Sequence, residues 1–154
     1  MTRSALATVA VATPLTLFTT GTAGAAPEDV SVVASSKGST VTLTVTNNTG
    51  GEIGCAAFLV EPGSTIENID NVPILYSVGL VNGLFEPVTI AAGSNPLRFS
   101  AVAPGEYQVE WGCRGTGEVW GTEMAWSSGA TTEPTFVTVP APSSPFGSIS
   151  PLGS

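Results

Sequence analysis

Three residue types that carry chemistry crowd into one stretch of this 154-residue chain, QVEWGCRGTGEVWG, Gln108 to Gly121. Cys113 lies there between Trp111 and Trp120, with Glu110, Arg114 and Glu118 around it. The glutamates are the candidates for acid and base work: Glu106 and Glu110 fall on one predicted strand, Glu118 and Glu123 on the next. A glycosidase needs two carboxylates roughly 5–9 Å apart. Outer-face residues four apart on a strand are about 13 Å apart, and solvated carboxylates keep ordinary pKa values. The pattern therefore predicts an acidic, wet strand face with no catalytic residue. Histidine is absent, which excludes Ser-His-Asp and Cys-His nucleophiles, and no G-x-S-x-G elbow occurs. Without histidine or C-x-x-C, a metal site would need oxygen ligands alone. Glu67-Asn-Ile-Asp-Asn71 offers such oxygens but departs from the D-x-[DN]-x-[DN]-G calcium pattern, so no metal is assigned. No cofactor fingerprint is present. Asn47-Asn-Thr49 matches the N-x-[ST] acceptor pattern, which is too common to weigh alone.

The compartment frames these residues. The chain opens MTRSALATVAVATPLTLFTTGTAGAAPED, with Arg3, an apolar run from Ala5 to Phe18, and small residues ending Ala23-Gly-Ala25. This is the layout of a secretory signal peptide, residues 1–25, cut after Ala25; a cut after Ala26 would set Pro27 beside the scissile bond. The run is too short, and too diluted by Thr8, Thr13, Pro14 and Thr16, for a membrane anchor of about 20 residues. No later run is long enough to span. In an oxidising compartment the two cysteines, Cys55 and Cys113, are expected to form one disulfide. It would close a loop of about 59 residues, stabilising by about 4 kcal/mol in the chain-entropy description. Removing Arg3 with the leader leaves three basic residues against 12 acidic ones, 3 − 12 = −9, a surface that disfavours nucleic acid. Richness in Ala, Thr, Val and Gly with little Lys points to a high-GC bacterial source.

The elements that hold the cluster read as β-structure. Thr40 to Thr46, TVTLTVT, alternates strictly, with Val41, Leu43 and Val45 on one side. The same period runs through Val30, Val32 and Ala34, through Ile53 to Val60, through Leu97, Phe99 and Ala101, and through Phe136 to Val139. Turn residues separate them at 47–51, 61–64, Asn82-Gly83, Ala92 to Pro96 and Ala103 to Gly105. Ser64-Thr-Ile-Glu67 has capping-box spacing for one helical turn. The fold class expected is an all-β, antiparallel β-sandwich of seven to nine strands with one disulfide, spanning residues 26–139. Residues 140–154, PAPSSPFGSISPLGS, carry no charge or periodicity and read as a flexible tail.

Within that frame Pro104-Gly-Glu-Tyr-Gln-Val109 resembles the start of strand F in immunoglobulin-like and fibronectin-III-like sandwiches, where a tyrosine sits at a corner. The resemblance is strong over about ten residues and loose from 29 to 139. In antibody domains the tyrosine lies two residues before a cysteine, whereas Tyr107 lies six before Cys113. Taking 30–34, 40–46 and 53–60 as strands A, B and C, the resemblance implies that Cys55, at the start of C, meets Cys113, at the end of F, in a disulfide at the rim. Tyr107, Val109, Trp111 and Cys113 then face inward, and Glu106, Gln108 and Glu110 face water. The loop from Asn47 to Gly54 and the turn from Arg114 to Gly117 would share one stapled end of the sandwich. Arg114 and Trp120 are the candidate partner-binding residues there, since Arg and Trp dominate interface energetics. Against this, Trp120, Met124 and Trp126, at spacings of two and four, also read as one packed strand face.

The function expected is a secreted or cell-envelope binding module, non-catalytic, whose partner is a protein or envelope component. The alternative is a carrier of a small apolar ligand. Exported acidic sandwiches of the neocarzinostatin type are similar in size, charge and compartment, though they hold two disulfides. A carrier would need a pocket lined by residues such as Phe85, Trp120, Met124 and Trp126. An enzyme using surface carboxylates ranks third.

Overall fold

The computed structural model describes residues 26–65, 73–82, 84–125 and 130–143. The leader, the capping-box turn from Ile66, the Glu67 to Asn71 oxygen cluster, Trp126 and the tail beyond Ser143 lie outside them. A 3-10 turn, Pro27–Asp29, leads into three long strands: β1 (Val30–Lys37), β2 (Thr40–Asn47) and β3 (Ile53–Val60). Four short strands follow: β4 (Tyr76–Val78), β5 (Leu80–Val81), β6 (Leu84–Phe85) and β7 (Val88–Ile90). The chain ends in β8 (Gly93–Phe99), β9 (Gly105–Arg114), β10 (Val119–Gly121) and β11 (Thr135–Val139).

These strands build an antiparallel sandwich. The small sheet runs β1-β2-β8. The large sheet has β3 and β9 side by side at its centre; β4 and β7 share the far edge of β3, and β10 and β11 share the far edge of β9. The alternation of β2 sends Val41, Leu43 and Val45 inward, where they meet Leu97 and Phe99 of β8 and the inner face of the large sheet. That inner face carries Cys55, Ala57 and Leu59 from β3 and Tyr107, Val109, Trp111 and Cys113 from β9, as period two predicts. The Tyr107 hydroxyl donates to the Ala103 carbonyl four residues upstream at 2.9 Å, and its ring meets Tyr76 edge-on at 5.8 Å.

Two expectations are corrected. Ala92 to Pro96 is not a turn: β8 starts at Gly93 and pairs through Pro96, opposite Thr44. A proline is tolerated because β8 is an edge strand, so a missing N–H on its open side breaks no ladder bond. The strand stops at Phe99, and Ala101 takes a positive φ of 56° in the connection to β9. The second correction concerns β3, which alternates only in part. Seven of its eight residues are buried, Gly54 being the exception, because both faces of the large sheet are covered at its centre. A nearly unbroken apolar run is the signature of such a strand.

Candidate functional site

The outer face of the large sheet is built around a break in its edge. β10 leaves β9 at Gly121, opposite Gly112, and β11 joins β9 only from Thr135, opposite Val109. Between them the chain makes an excursion whose ends are pinched together. Thr131 N–H donates to the Gly121 carbonyl at 2.8 Å, and Gly121 N–H donates to the Thr131 hydroxyl at 3.0 Å. Gly121 is required at the neck: its φ is +138°, and a Cβ there would sit 2.2 Å from the Trp111 carbonyl oxygen. Thr122 then caps the exposed ladder, its N–H donating to the Trp111 carbonyl at 3.0 Å and its hydroxyl accepting from Trp111 N–H at 3.2 Å.

The loop carries Met124 over the outer face, where it forms a second apolar cluster with Phe58 and Val60 of β3, flanked by Leu80 and Ala125. Two polar side chains of β9 are buried beside it, which corrects the expected wet face: Gln108 is 2 % exposed and Glu110 1 %. Glu106, beyond the cover, and Glu123 are exposed as predicted, and Glu118 is half-buried. Gln108 is a clasp. Its carbonyl oxygen accepts from Gly63 N–H at 2.9 Å, and its amide nitrogen donates to the Ser64 carbonyl and to Glu110 Oε1, each at 2.7 Å. The loop after β3 is thereby tied to the sheet. Glu110 Oε2 has no hydrogen-bond partner among the described residues. Burial pushes the Glu110 carboxyl above its ordinary range; the Thr122 hydroxyl and the Gln108 amide oppose the shift, and the charges of Glu123 and Glu133 add to it.

The cysteines are joined, with Cys55 directly opposite Cys113 and their Cα atoms 4.1 Å apart. The bridge links neighbouring strands β3 and β9, as the strand count implied. It is fully buried, however, so it belongs to the inter-sheet core and not to a solvent-facing rim. The cause is the closing of this end by other groups. Trp120 pairs with Cys113 across β10 and β9 and therefore faces inward with it. Trp120 is 1 % exposed, and its indole N–H donates to the Ala26 carbonyl at 3.2 Å. Of the two candidate contact residues, then, Arg114 stands at the surface and Trp120 is inside. Met124 lies on the opposite side of the large sheet from Trp120, so the two do not line one pocket. Asn47 of the acceptor pattern is also internal. Its amide nitrogen donates to the carbonyls of Gly51 at 2.7 Å and Ile90 at 3.2 Å, which makes it a brace of the β2–β3 loop.

Arg114 pairs with Gly54 in the register and projects to the outer face, where its guanidinium lies 5.2 Å over the centroid of the Phe85 ring. Phe85 belongs to a hairpin that folds over the sheet edge. Gly79, with φ +77°, approaches β3 so closely that a Cβ would lie 2.8 Å from the Cys55 carbonyl oxygen. Glu86 N–H closes the hairpin on the Gly79 carbonyl at 3.0 Å. Asn82 takes a φ of +51° between β5 and β6, the conformation that the Asn-Gly turn predicts. The surface of this region is apolar: Ile74, Leu75, Val81, Leu84 and Val88 are all exposed. Among the described residues only Val33 and Phe136 are exposed large hydrophobics elsewhere. The 74–88 surface escaped the sequence analysis because its strands are two or three residues long, too short to show a period. The available signal was the density of apolar residues around Asn82-Gly83.

Comparison of the chain with protein-family models, with curated proteins and with solved structures found no match to any of them.

Proposed function

We propose that this chain is an exported, non-catalytic β-sandwich module of the immunoglobulin-like kind that binds a protein or envelope component through residues 74–88 and Arg114. One observation carries the reading: five of the seven exposed large hydrophobics among the described residues fall within 15 positions, beside an arginine stacked on an aromatic ring. Concentrated apolar surface marks interaction sites, and Arg over an aromatic ring is a frequent anchor. The scaffold supports such a role, because the disulfide and the Gln108 clasp hold the underlying strands rigidly. The leader pattern and the disulfide favour an oxidising compartment. The net charge of −8 argues for a neutral or basic partner and against nucleic acid.

The test is capture from envelope extracts of the producing cell with three immobilised baits: wild type, Val81→Ser/Leu84→Ser, and a control, Val33→Ser/Phe136→Ser. The expected result is a protein held by wild type and control and lost by the hairpin variant. Equal loss from both double variants would reduce the surface to general stickiness. A small apolar molecule that co-purifies with wild type would favour the carrier reading instead.

A further inference from the structure

On the outer face of the large sheet the register sets Glu110 beside Phe58 and Gln108 beside Val60. Phe58 and Val60 form one apolar cluster with Met124, and Leu80 packs against it. Leu80 is also the first residue of β5, where the hairpin of the contact surface begins. The cluster is therefore shared: one side abuts a carboxyl, and the other seats the hairpin. Glu110 is the one buried acidic or basic side chain among the described residues. Its Oε1 accepts from the Gln108 amide at 2.7 Å, while Oε2 has no partner. Gln108 cannot serve both oxygens, because the second proton of its amide goes to the Ser64 carbonyl. The Thr122 hydroxyl also favours the anion, but it is engaged with the Trp111 backbone. The charges that act on the carboxyl, Glu123 and Glu133, are both acidic. From β3 it meets only apolar side chains.

We propose that the proton on Glu110 latches the contact surface: while it is held, the Phe58, Val60 and Met124 cluster stays dry and seats Leu80, and its loss unseats both Met124 and Leu80. The carboxyl O–H bond breaks, its electron pair stays on the carboxylate, and the proton passes to water. A buried carboxylate oxygen needs donors, and the protein has none left to offer Oε2. Water must supply them, and it enters where Met124 lies, its sulfur 3.9 Å from the Gln108 amide nitrogen. The hairpin feels the change because little else holds it. Its strands are two residues long, and one bond, from Glu86 N–H to the Gly79 carbonyl, closes its base. The direction follows from burial, which disfavours the charged form in the closed state. The surface is latched in acid and loosens as pH rises from the ordinary glutamate range through the higher value of the closed state.

The latch rests on the reading of residues 74–88 as the contact surface, and its test is made without a partner so that the two can fail separately. Amide hydrogen exchange is followed by NMR at Glu86, which closes the hairpin, and at Ala125, whose N–H donates to the Thr122 carbonyl at 3.1 Å. Protection factors, which correct for the intrinsic pH dependence of exchange, are compared at pH 4.5 and 8.5. In wild type they should fall by about tenfold at both amides, while the amides of β2 hold level. In Glu110→Gln, which has no proton to lose, both should stay level. An equal fall in the two proteins, a fall of the same size in β2, or no fall in wild type overturns the latch. In Leu80→Ala, Glu86 should be loose already at pH 4.5 while Ala125 keeps its response. A Glu86 amide that responds there as in wild type overturns the link to the hairpin. None of these results depends on capture of an envelope protein, which alone decides whether residues 74–88 bind one.

Discussion

The two faces of β9 obey different rules. On the inner face Tyr107, Val109, Trp111 and Cys113 meet side chains of the opposite sheet, and every group there is apolar, disulfide-bonded or, like the Tyr107 hydroxyl, satisfied by a nearby carbonyl. On the outer face Gln108 and Glu110 are as deeply buried, under loops rather than under a sheet. The inner face is stabilised mainly by area removed from water. The outer face depends on hydrogen bonds that hold the cover in place, and it carries one carboxylate oxygen with no partner among the described residues. Buried polar groups stabilise when paired and cost when they are not. The inner face is the rigid half of the molecule, and the outer face is where the sequence departs from a simple sandwich and where the proposed contact surface is mounted.

Breaking the inner face should cost most. The double substitution Cys55→Ala/Cys113→Ala should destabilise by about 3 kcal/mol in urea unfolding, since it releases a long loop in the unfolded chain. Breaking the outer clasp should cost less. Gln108→Ala leaves Gly63 N–H and the Ser64 carbonyl without partners and should destabilise by about 2 kcal/mol. Its local effect should be larger than its global one: hydrogen exchange should accelerate at residues 61–65 while the amides of β2 stay protected. If exchange rises equally in both, the cover is not a separate layer.

The smallest effect should be a gain. Glu110→Gln keeps the shape and the bond to Gln108 while removing a buried charge, and should stabilise by about 1 kcal/mol at pH 7. The sign of the pH dependence follows from the raised carboxyl. Between the ordinary glutamate value near 4.3 and its higher folded value, the folded state binds more protons than the unfolded chain. The wild-type contribution is therefore fully favourable below that window and is lost as pH rises through it. Melting curves from pH 4 to 8 should show this slope in wild type and a flatter profile in Glu110→Gln. A steeper profile in the variant would mean that Glu110 is stabilised as an anion.

These two faces also explain what could be read from the residues in order. TVTLTVT in β2 and the inward set on β9 were legible because each has one buried and one open or covered side, and alternation needs only the next residue but one. The pairing of Cys55 with Cys113 followed from there being two cysteines; their place on neighbouring strands was implied by the resemblance to immunoglobulin-like sandwiches, which also set the bridge at a rim where the structure buries it. Glu110 was misassigned because its burial depends on Met124 and the pinched neck at Gly121 and Thr131, which lie 11 to 21 positions further on and form no periodic element. Trp120 and Met124 looked like one face by spacing. The strand ends at Gly121, between them, so the period no longer applies. Arg114 was picked out as one of few cations, whereas its aromatic neighbour Phe85 comes from a hairpin 29 positions earlier.

The claim that residues 74–88 and Arg114 form the contact surface is tested most directly by hydrogen–deuterium exchange of the mature protein with and without the envelope fraction of its producing cell. The account predicts added protection at residues 79–88 and 113–115, with β1 and β2 unchanged. Protection confined to β1, β2 or β8, or none at saturating extract, would contradict it.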